Sequence, residues 1–195
     1  ETCYQPVWFE RAQKLMDTVN RLFRNDEGPY FDTGSDAEIL LARNMDGYDG
    51  VEPSGNSNAA LAFLRLSAYL TEPALALKAE KIFLDFNEEL MEYGLNSAFM
   101  LQALHLYLGG LKEVAVVGKR NDPATQELLD ALRKGFYPNA VFAFAYADEI
   151  ENTSIPLLKD RKLVNGKATA YVCRQGTCLA PVHSVEELVK LLSYE

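Results

Sequence analysis

The sequence has few of the residues that build disulfide scaffolds, metal centres and membrane spans. Its 195 residues include three cysteines, two histidines and one tryptophan. No apolar run reaches the ~20 residues that a membrane-spanning helix needs. Three cysteines are too few for a disulfide framework, so a reducing compartment, the cytoplasm, is expected. The scarcity of histidine and cysteine leads us to expect neither a metal nor another cofactor.

Positive charge is also scarce and dispersed. There are 19 Lys and Arg side chains against 28 Asp and Glu, which gives a formal net charge of −9 at pH 7. A nucleic-acid binder needs clustered basic side chains that displace counterions from phosphates. A negative overall field repels DNA, RNA and anionic lipid. We therefore expect neither a nucleic acid nor a membrane as a partner.

The start of the chain lacks a methionine and a basic segment followed by an apolar one. No signal peptide is therefore indicated, and we expect the chain to be processed or to be cut from a longer protein. Apolar residues make up 48% of the sequence, which is enough for a core at this length. The length fits one large domain or two small ones.

Helical patterns occupy the first ~110 residues. Between Pro6 and Phe23, apolar side chains recur at steps of three and four and form one stripe. Three further helices are predicted, over Ser57–Leu70, from Pro73 to about Met91 with Thr71 as its cap, and from about Asn96 to Gly109. The connections between them are short, which implies antiparallel neighbours. We therefore predict a region of helix pairs over residues 1–110.

After residue 110 the pattern changes to β-branched runs and capped helices. Two buried strands are predicted at EVAVV (113–117) and VFAFAY (141–146), with Asp122 and Pro123 starting the helix between them. A third strand is predicted at TAYVC (169–173), and Ser184 with Glu187 forms a capping box for the last helix. Residues 111–195 are thus predicted to be a small α/β unit with parallel strands. The fold class is mixed α/β, with antiparallel helix pairs followed by a small parallel-sheet βαβ unit.

The densest group of polar residues is the loop from Arg43 to Ser57, RNMDGYDGVEPSGNS. Three carboxylates are spaced by three residues, and two polar residues follow at a helix N-terminus, where free N–H groups favour anions. Paired carboxylates on a rigid turn suit acid/base chemistry on a sugar. The alternative is a structural turn, in which Asp and Asn side chains bond the local backbone. The candidate substrate-binding residues are Arg43, Asp46, Asp49, Glu52, Asn56 and Ser57, and no catalytic residue is assigned.

Three weaker signals stay open at this point. Gly118 in VVGKRNDP suggests either a phosphate loop or an ordinary strand-to-helix turn, and both glycine-rich phosphate patterns are missing. Cys173, Cys178 and His183 suggest a buried or paired cysteine turn, a zinc site or a redox pair, although a redox pair would prefer C-x-x-C. His105 is either a packed or surface histidine, or a general acid/base that lines a helical cavity.

The residues quoted above carry a resemblance to a known family. RNMDGYDGVEPSGNS with the helix after it, EVAVVG, and ATAYVCRQGTCLAPVHSVEEL (168–188) resemble the C-terminal region of the thioredoxin-domain-containing, spermatogenesis-associated protein 20-like family. PYFDT (29–33) matches less specifically. The resemblance implies a longer parent, in which an N-terminal thioredoxin-like domain precedes a helical toroid like those of six-hairpin glycosidases and sugar epimerases. This chain would hold at most two of the six helix pairs of that toroid, and it has no C-x-x-C, so no redox activity is carried over.

The resemblance and the loop together lead to two hypotheses. In the first, the chain is part of a carbohydrate-active or carbohydrate-binding protein, and the loop residues contact a sugar or another hydroxyl-rich small molecule. The isolated chain would then be inactive, since it has too few helix pairs to close a site. In the second, it is a non-catalytic interaction or scaffold module that supports the thioredoxin-like domain, and the loop is structural.

Substitutions in the loop separate the two hypotheses. If the loop binds a ligand, Asp46→Ala and Asp49→Ala should weaken binding while changing the free energy of unfolding by no more than ~1 kcal/mol. A structural loop predicts the reverse, namely unfolding at lower denaturant with unaltered binding per folded molecule.

Overall fold

The computed structural model describes residues 3–26, 28–38, 41–174 and 176–193. The chain divides into two units. The helical unit contains residues 10–67 and 72–109, and the sheet unit contains residues 1–9, 68–71 and 110–195. No helix among the described residues has the length and apolar character required to cross a bilayer.

Successive helices make up the first part of the chain. They are α1 (Pro6–Leu22), α2 (Gly55–Leu70), α3 (Pro73–Asp85), α4 (Asn87–Tyr93) and α5 (Ala98–Gly109), with a short 3-10 turn at Gly94–Ser97 before α5. The core of the helical unit includes side chains that are fully removed from solvent, among them Ala60, Phe63, Ala79, Ile82, Met100 and Ala103. Burial of these apolar side chains from α2, α3 and α5 is the main stabilising term for the unit.

Two details of the helix predictions are wrong. The helix predicted to run from Pro73 to about Met91 is interrupted at Phe86, which ends α3 and begins α4 with non-helical ψ of 16°. Its buried ring explains the interruption, since packing of a large apolar side chain overrides helix propensity. Thr71 does not cap α3 either. It adopts a positive φ of 54°, and its hydroxyl donates to the Leu70 carbonyl, while Glu72 occupies the cap position without a side-chain bond.

A four-stranded sheet forms the centre of the sheet unit. Its strands are β1 (Lys112–Gly118), β2 (Ala140–Tyr146), β3 (Thr169–Arg174) and β4 (Thr177–Cys178), in the spatial order β2-β1-β3-β4. β1 and β2 are parallel, with Val114 opposite Phe142, and α6 (Pro123–Lys134) lies between them in sequence. β3 is antiparallel to β1, and β4 is antiparallel to β3. The chain is therefore mixed α/β with a mixed sheet.

The expectation of a parallel-strand unit was too broad, because it included β3. A parallel partner for β1 needs a long crossover, which is usually a helix. In the described connection from β2 to β3, the helical pieces are the short 3-10 turns Ile150–Asn152 and Pro156–Leu158. The chain instead enters β3 in the opposite direction, so the third strand pairs antiparallel.

The core of the sheet unit joins the sheet to two amphipathic helices. Val114 and Val116 of β1 pack with Leu128 of α6 and Leu188 of α7 (Val185–Ser193) in one buried cluster. Two predicted caps are confirmed at the starts of these helices. The Asp122 side chain accepts from Ala124 N, and the Ser184 hydroxyl accepts from Glu187 N while the Glu187 carboxylate accepts from Ser184 N.

Candidate functional site

The loop from Arg43 to Ser57 lies within the helical unit. Arg43 stands at its start, with the guanidinium 4.0 Å from the centre of the Phe31 ring. One nitrogen of that group, Nη2, donates to the Leu22 carbonyl at 3.1 Å and to the Thr33 carbonyl. Arg43 therefore connects the end of α1 to the segment around residues 31–33 through Nη2, whereas its buried Nε has no hydrogen-bond partner among the described residues.

Asp46 and Glu52 are the two loop carboxylates that lie in solvent. Asp46 Oδ1 accepts a hydrogen bond from Tyr48 N at 2.8 Å, which is the local bond by which aspartate stabilises a turn. The Tyr48 side chain beside it is 58% exposed. The loop thus exposes two carboxylates and one aromatic ring, as well as the apolar side chains of Met45 and Val51.

Asp49 has a different environment, because its carboxylate accepts three backbone hydrogen bonds. Oδ1 accepts from Ser54 N at 2.8 Å, and Oδ2 accepts from Phe99 N at 2.8 Å and Met100 N at 3.0 Å. The last two donors are unpaired N–H groups of the first turn of α5, so Asp49 caps that helix from fifty residues away. The carboxylate joins the loop to α5.

The pKa of Asp49 reflects these bonds. Burial alone would raise the pKa, because it disfavours the charged carboxylate. The hydrogen bonds that the carboxylate accepts outweigh burial and hold the pKa of Asp49 below its ordinary value of 3.8. Asp49 is therefore a stable anion at neutral pH, which suits a structural acceptor better than a group that must exchange a proton.

Asn56 is buried and fully engaged. Its Oδ1 accepts from Tyr30 N at 2.7 Å, and its Nδ2 donates to the carbonyls of Tyr30 at 2.9 Å and Asp46 at 3.0 Å. The Asn56 amide thus bonds both the N–H group and the carbonyl of Tyr30, as a neighbouring strand would. It also bonds the Asp46 carbonyl. This position needs one acceptor and two donors in a fixed plane, which asparagine provides.

Ser54 and Ser97 are site residues that the sequence reasoning missed. Ser54 precedes α2, and its hydroxyl accepts from Ser57 N at 3.1 Å and donates to Ser57 Oγ at 2.8 Å. A serine just before a helix is a capping signal that could have been recognised. Ser97 is buried and donates to the Gly47 carbonyl at 3.0 Å. Nothing local in the sequence signals that contact, since the two residues are fifty positions apart.

The six predicted site residues are therefore close in sequence but face different surroundings. Asp49, Asn56 and Ser57 point into the helical unit and bond its backbone and side chains. Asp46 and Glu52 remain in solvent. That any of the six contacts a substrate stays a prediction.

The turn after β1 is an ordinary strand-to-helix turn. The Thr125 hydroxyl accepts from Lys119 N at 3.0 Å and donates to Asp122 Oδ2 at 2.9 Å. Gly118 is required because a Cβ there would overlap the Thr125 side chain. The N–H group of Lys119 is thus bound by a side chain of the protein, which favours the structural interpretation of VVGKRNDP.

The cysteine and histidine signals also have structural partners. Cys173 and Cys178 form a disulfide bond, and His183 Nδ1 lies 2.9 Å from the Ala168 carbonyl. His105 is exposed on α5. No group of three or more His, Cys, Asp and Glu side chains in the described part of the chain could hold a metal ion.

The fold and this loop define a mixed α/β chain with a polar loop tied into a helical unit. No family model matches the sequence. The chain is 31% identical to spermatogenesis-associated protein 20 of Homo sapiens and 30% identical to the protein of that name in Mus musculus, each over 198 residues. An uncharacterized protein of Caenorhabditis elegans is 25% identical over 187 residues.

These alignments cover nearly all of this chain but little of the relatives. The human and mouse alignments cover 98% of the chain and 25% of each relative, and the nematode alignment covers 95% and 25%. The chain thus spans about a quarter of the length of the curated relatives it matches. It is homologous to that quarter of spermatogenesis-associated protein 20, which confirms this part of the predicted resemblance. The six-hairpin glycosidase-like part stays a prediction.

Proposed function

We propose that this chain is a non-catalytic interaction module that supports the remainder of a longer protein. The observation that carries the proposal is the engagement of Asp49, whose two oxygens accept three backbone hydrogen bonds. A carboxylate engaged in this way fixes the loop to α5 and has little capacity left for a substrate hydroxyl. The loop therefore has a structural role, and we refer to the three bonds of Asp49 as the brace. We propose that the module functions through the exposed surface of the helical unit.

Exposed apolar side chains provide a surface for binding. Within the helical unit, five large residues between positions 77 and 95 lie mostly in solvent: Leu77, Leu84, Met91, Tyr93 and Leu95. We call this group the 77–95 surface. Leu77 and Leu84 are seven residues apart and therefore share one face of α3. Large apolar side chains that form one exposed patch are typical of a protein–protein contact, and we propose that these five form such a patch.

The occupant that we propose for the 77–95 surface is the N-terminal remainder of the parent protein. The human and mouse relatives are about four times as long as the part that this chain covers, so about three quarters of their length lies elsewhere. The resemblance implies a thioredoxin-like domain there. A contact between two parts of the same protein needs no separate partner. Burial of the apolar side chains would stabilise that contact by about 25 cal/mol per Å² of apolar surface removed from water.

Binding between this chain and the separately produced N-terminal remainder tests the proposal. The double substitution Leu84→Ser/Met91→Ser should weaken the affinity measured by calorimetry at least ~tenfold, since burying one large apolar side chain is worth about 1.5 to 3 kcal/mol. Leu179→Ser is the matched control, because Leu179 is also exposed but belongs to the sheet unit. Equal affinities for wild type and the double variant would refute the proposed surface.

Carbohydrate binding is the second candidate, and three exposed side chains of the loop favour it. Asp46, Glu52 and the Tyr48 ring are each exposed in this loop. Carboxylates beside an aromatic ring are groups that contact sugar hydroxyls and sugar faces. The partial toroid implied by the resemblance would complete such a site only in the full-length parent.

A glycan and small-sugar binding screen on the full-length parent, with this chain as control, tests the second candidate. A bound sugar whose affinity falls on Tyr48→Ala and Asp46→Ala, with stability unchanged, would support it. We expect no glycosidase or epimerase turnover by the isolated chain. A screen without any bound sugar would leave the interaction module as the better proposal.

A further inference from the structure

The Cys173–Cys178 disulfide joins one buried and one exposed sulphur-bearing residue. The two cysteines are directly opposite each other in the antiparallel pair β3–β4. Cys173 is 1% exposed, whereas Cys178 lies in solvent. A thiol from solution can therefore reach this bond from one side only, at Cys178.

Arg161 holds a positive charge against both sulphur atoms. Its Nη2 lies 3.5 Å from Cys173 Sγ and 3.3 Å from Cys178 Sγ. The guanidinium is held 4.9 Å from the centre of the Tyr171 ring, which fixes its position by cation–π attraction. Its Nε is buried and has no hydrogen-bond partner among the described residues.

This arrangement suits a reduced sulphur better than a disulfide. A disulfide sulphur is neutral and accepts hydrogen bonds weakly, so it compensates little for the desolvation of a partly buried guanidinium. A thiolate carries a full negative charge, and a neighbouring Arg favours that charged form. The contact between Arg161 and the sulphur atoms therefore strengthens when the bond is broken.

Glu113 is the competing partner of Arg161. It pairs with Cys173 in the register of β1 and β3. Burial raises the pKa of the Glu113 carboxyl above its ordinary 4.5, and the positive charge of Arg161 opposes that rise. When Glu113 is ionised, its negative charge also attracts Arg161 and lowers the stabilisation that a thiolate receives.

We propose that Cys173 and Cys178 form a redox site that exchanges with low-molecular-weight thiols, in which Cys178 is the sulphur attacked and Arg161 stabilises the Cys173 thiolate that leaves. The buried leaving group beside a fixed cation distinguishes this site from a purely structural disulfide. In a reducing compartment, a disulfide of this kind is a transient, redox-responsive bond.

The exchange balances with the small thiol as the reductant. A first thiolate RS⁻ attacks Cys178 Sγ, the Sγ–Sγ bond breaks, and its electron pair leaves on Cys173 as a thiolate. A second RS⁻ attacks the R sulphur of the mixed disulfide, which releases the Cys178 thiolate and RSSR. Two thiolates are oxidised to one disulfide, and the protein disulfide gains two electrons. The two cysteine thiolates then take protons from water according to the pH.

Reduction by millimolar glutathione tests the proposal in a Cys3→Ser background, which removes the exposed free cysteine. Quenching and alkylation at intervals, followed by mass spectrometry, measure the rate and the position of the glutathione adduct. We expect the adduct on Cys178. Arg161→Met should slow reduction by about threefold to tenfold, since a less stabilised thiolate leaves more slowly, and Glu113→Gln should accelerate it.

Lys162→Met is the matched control, because Lys162 is an exposed cation next in sequence to Arg161. We expect its reduction rate to stay within about twofold of the wild-type rate. Circular dichroism checks that each variant is folded, and Arg161→Lys, which keeps the charge, should restore part of the rate. An adduct on Cys173, a disulfide that glutathione leaves intact, or equal slowing by Arg161→Met and Lys162→Met would overturn the proposal.

Discussion

Two aspartates three residues apart in one loop differ in what their carboxylates contact. Asp46 bonds Tyr48 N, two positions along the chain, and lies in solvent. Asp49 accepts from Ser54 N, which is five positions along the chain, and from Phe99 N, which is fifty positions along. Since water can replace the first contact at little cost and cannot reach the second as easily, the two residues should contribute unequally to stability.

The first prediction compares the two alanine substitutions. Asp49→Ala should lower the free energy of unfolding by about 2 kcal/mol, since it removes a helix cap and leaves partly buried N–H groups without an acceptor. Asp46→Ala should lower it by less than about 1 kcal/mol, as for an ordinary surface position. Urea denaturation of both variants measures the difference. Equal losses would contradict the role of Asp49 as a brace.

The second prediction concerns the half-buried carboxyl of Glu113. Because burial raises the pKa of Glu113 in the folded state, the folded chain binds this proton more tightly than the unfolded chain does. Stability from this group is therefore present below the ordinary pKa of 4.5 and is lost as the pH rises through the raised value. Glu113→Gln should be more stable than wild type at pH 7.

The pH dependence provides the control for Glu113→Gln. The stability difference from wild type should shrink as the pH falls and vanish below pH 4.5, where the wild-type carboxyl is also neutral. Urea denaturation at several pH values measures this. A variant that is less stable than wild type at pH 7 would mean that the Glu113–Arg161 attraction outweighs burial.

At the scale of elements, the turn between β1 and α6 shows how one side chain joins a strand to a helix. The Thr125 hydroxyl accepts from the backbone just after β1 and donates to the cap residue Asp122. Its methyl group meanwhile occupies the space beside Gly118. The strand end, the cap and the first turn of α6 thus depend on one close approach, which only glycine at 118 permits.

The third prediction is that Gly118→Ala destabilises the chain by about 1 to 3 kcal/mol, the usual cost of forcing an extra methyl group into a packed position. Gly55→Ala is the control, because a Cβ at that helical glycine would meet nothing within 4 Å. It should be neutral or slightly stabilising, since alanine restricts the unfolded chain. Thermal unfolding of the two variants provides the comparison, and a stable Gly118→Ala protein would show that Thr125 can move.

At the scale of the whole molecule, features that depend on residues close in sequence could be predicted, whereas features that depend on distant contacts could not. Asp122 followed by Pro123, and Ser184 with Glu187, act within one helical turn, and their bonds are present. The same holds for the mixed α/β character, which follows from hydrophobic periodicity. Such features need no knowledge of which segments meet.

Features that depend on distant contacts were missed or mistaken. The hydrogen bonds of Asp49 were missed, because the donors at Phe99 and Met100 become its neighbours only after α5 is in place. The break at Phe86 comes from burial of its ring, and the antiparallel direction of β3 from the path of the preceding connection. The 43–57 loop could therefore be located from the sequence, whereas the contacts of its side chains could not.

The last prediction links the net charge to the 77–95 surface. A charge of −9 at pH 7 keeps copies of the chain apart. Near the sequence pI of about 4.8, that repulsion disappears, and exposed residues such as Leu84 and Met91 should drive self-association. The brace at Asp49 persists there, because its pKa lies below 3.8, so association need not begin with unfolding.

Light scattering at pH 7 and at pH 4.8 tests this link. Wild type should be monomeric at pH 7 and associate at the lower pH, and Leu84→Ser/Met91→Ser should associate less without any change in net charge. Leu179→Ser removes an exposed leucine from the sheet unit and should behave as wild type. If the double variant and the control associate equally, the apolar residues of the 77–95 surface are not what brings copies together, and loss of charge alone accounts for the association.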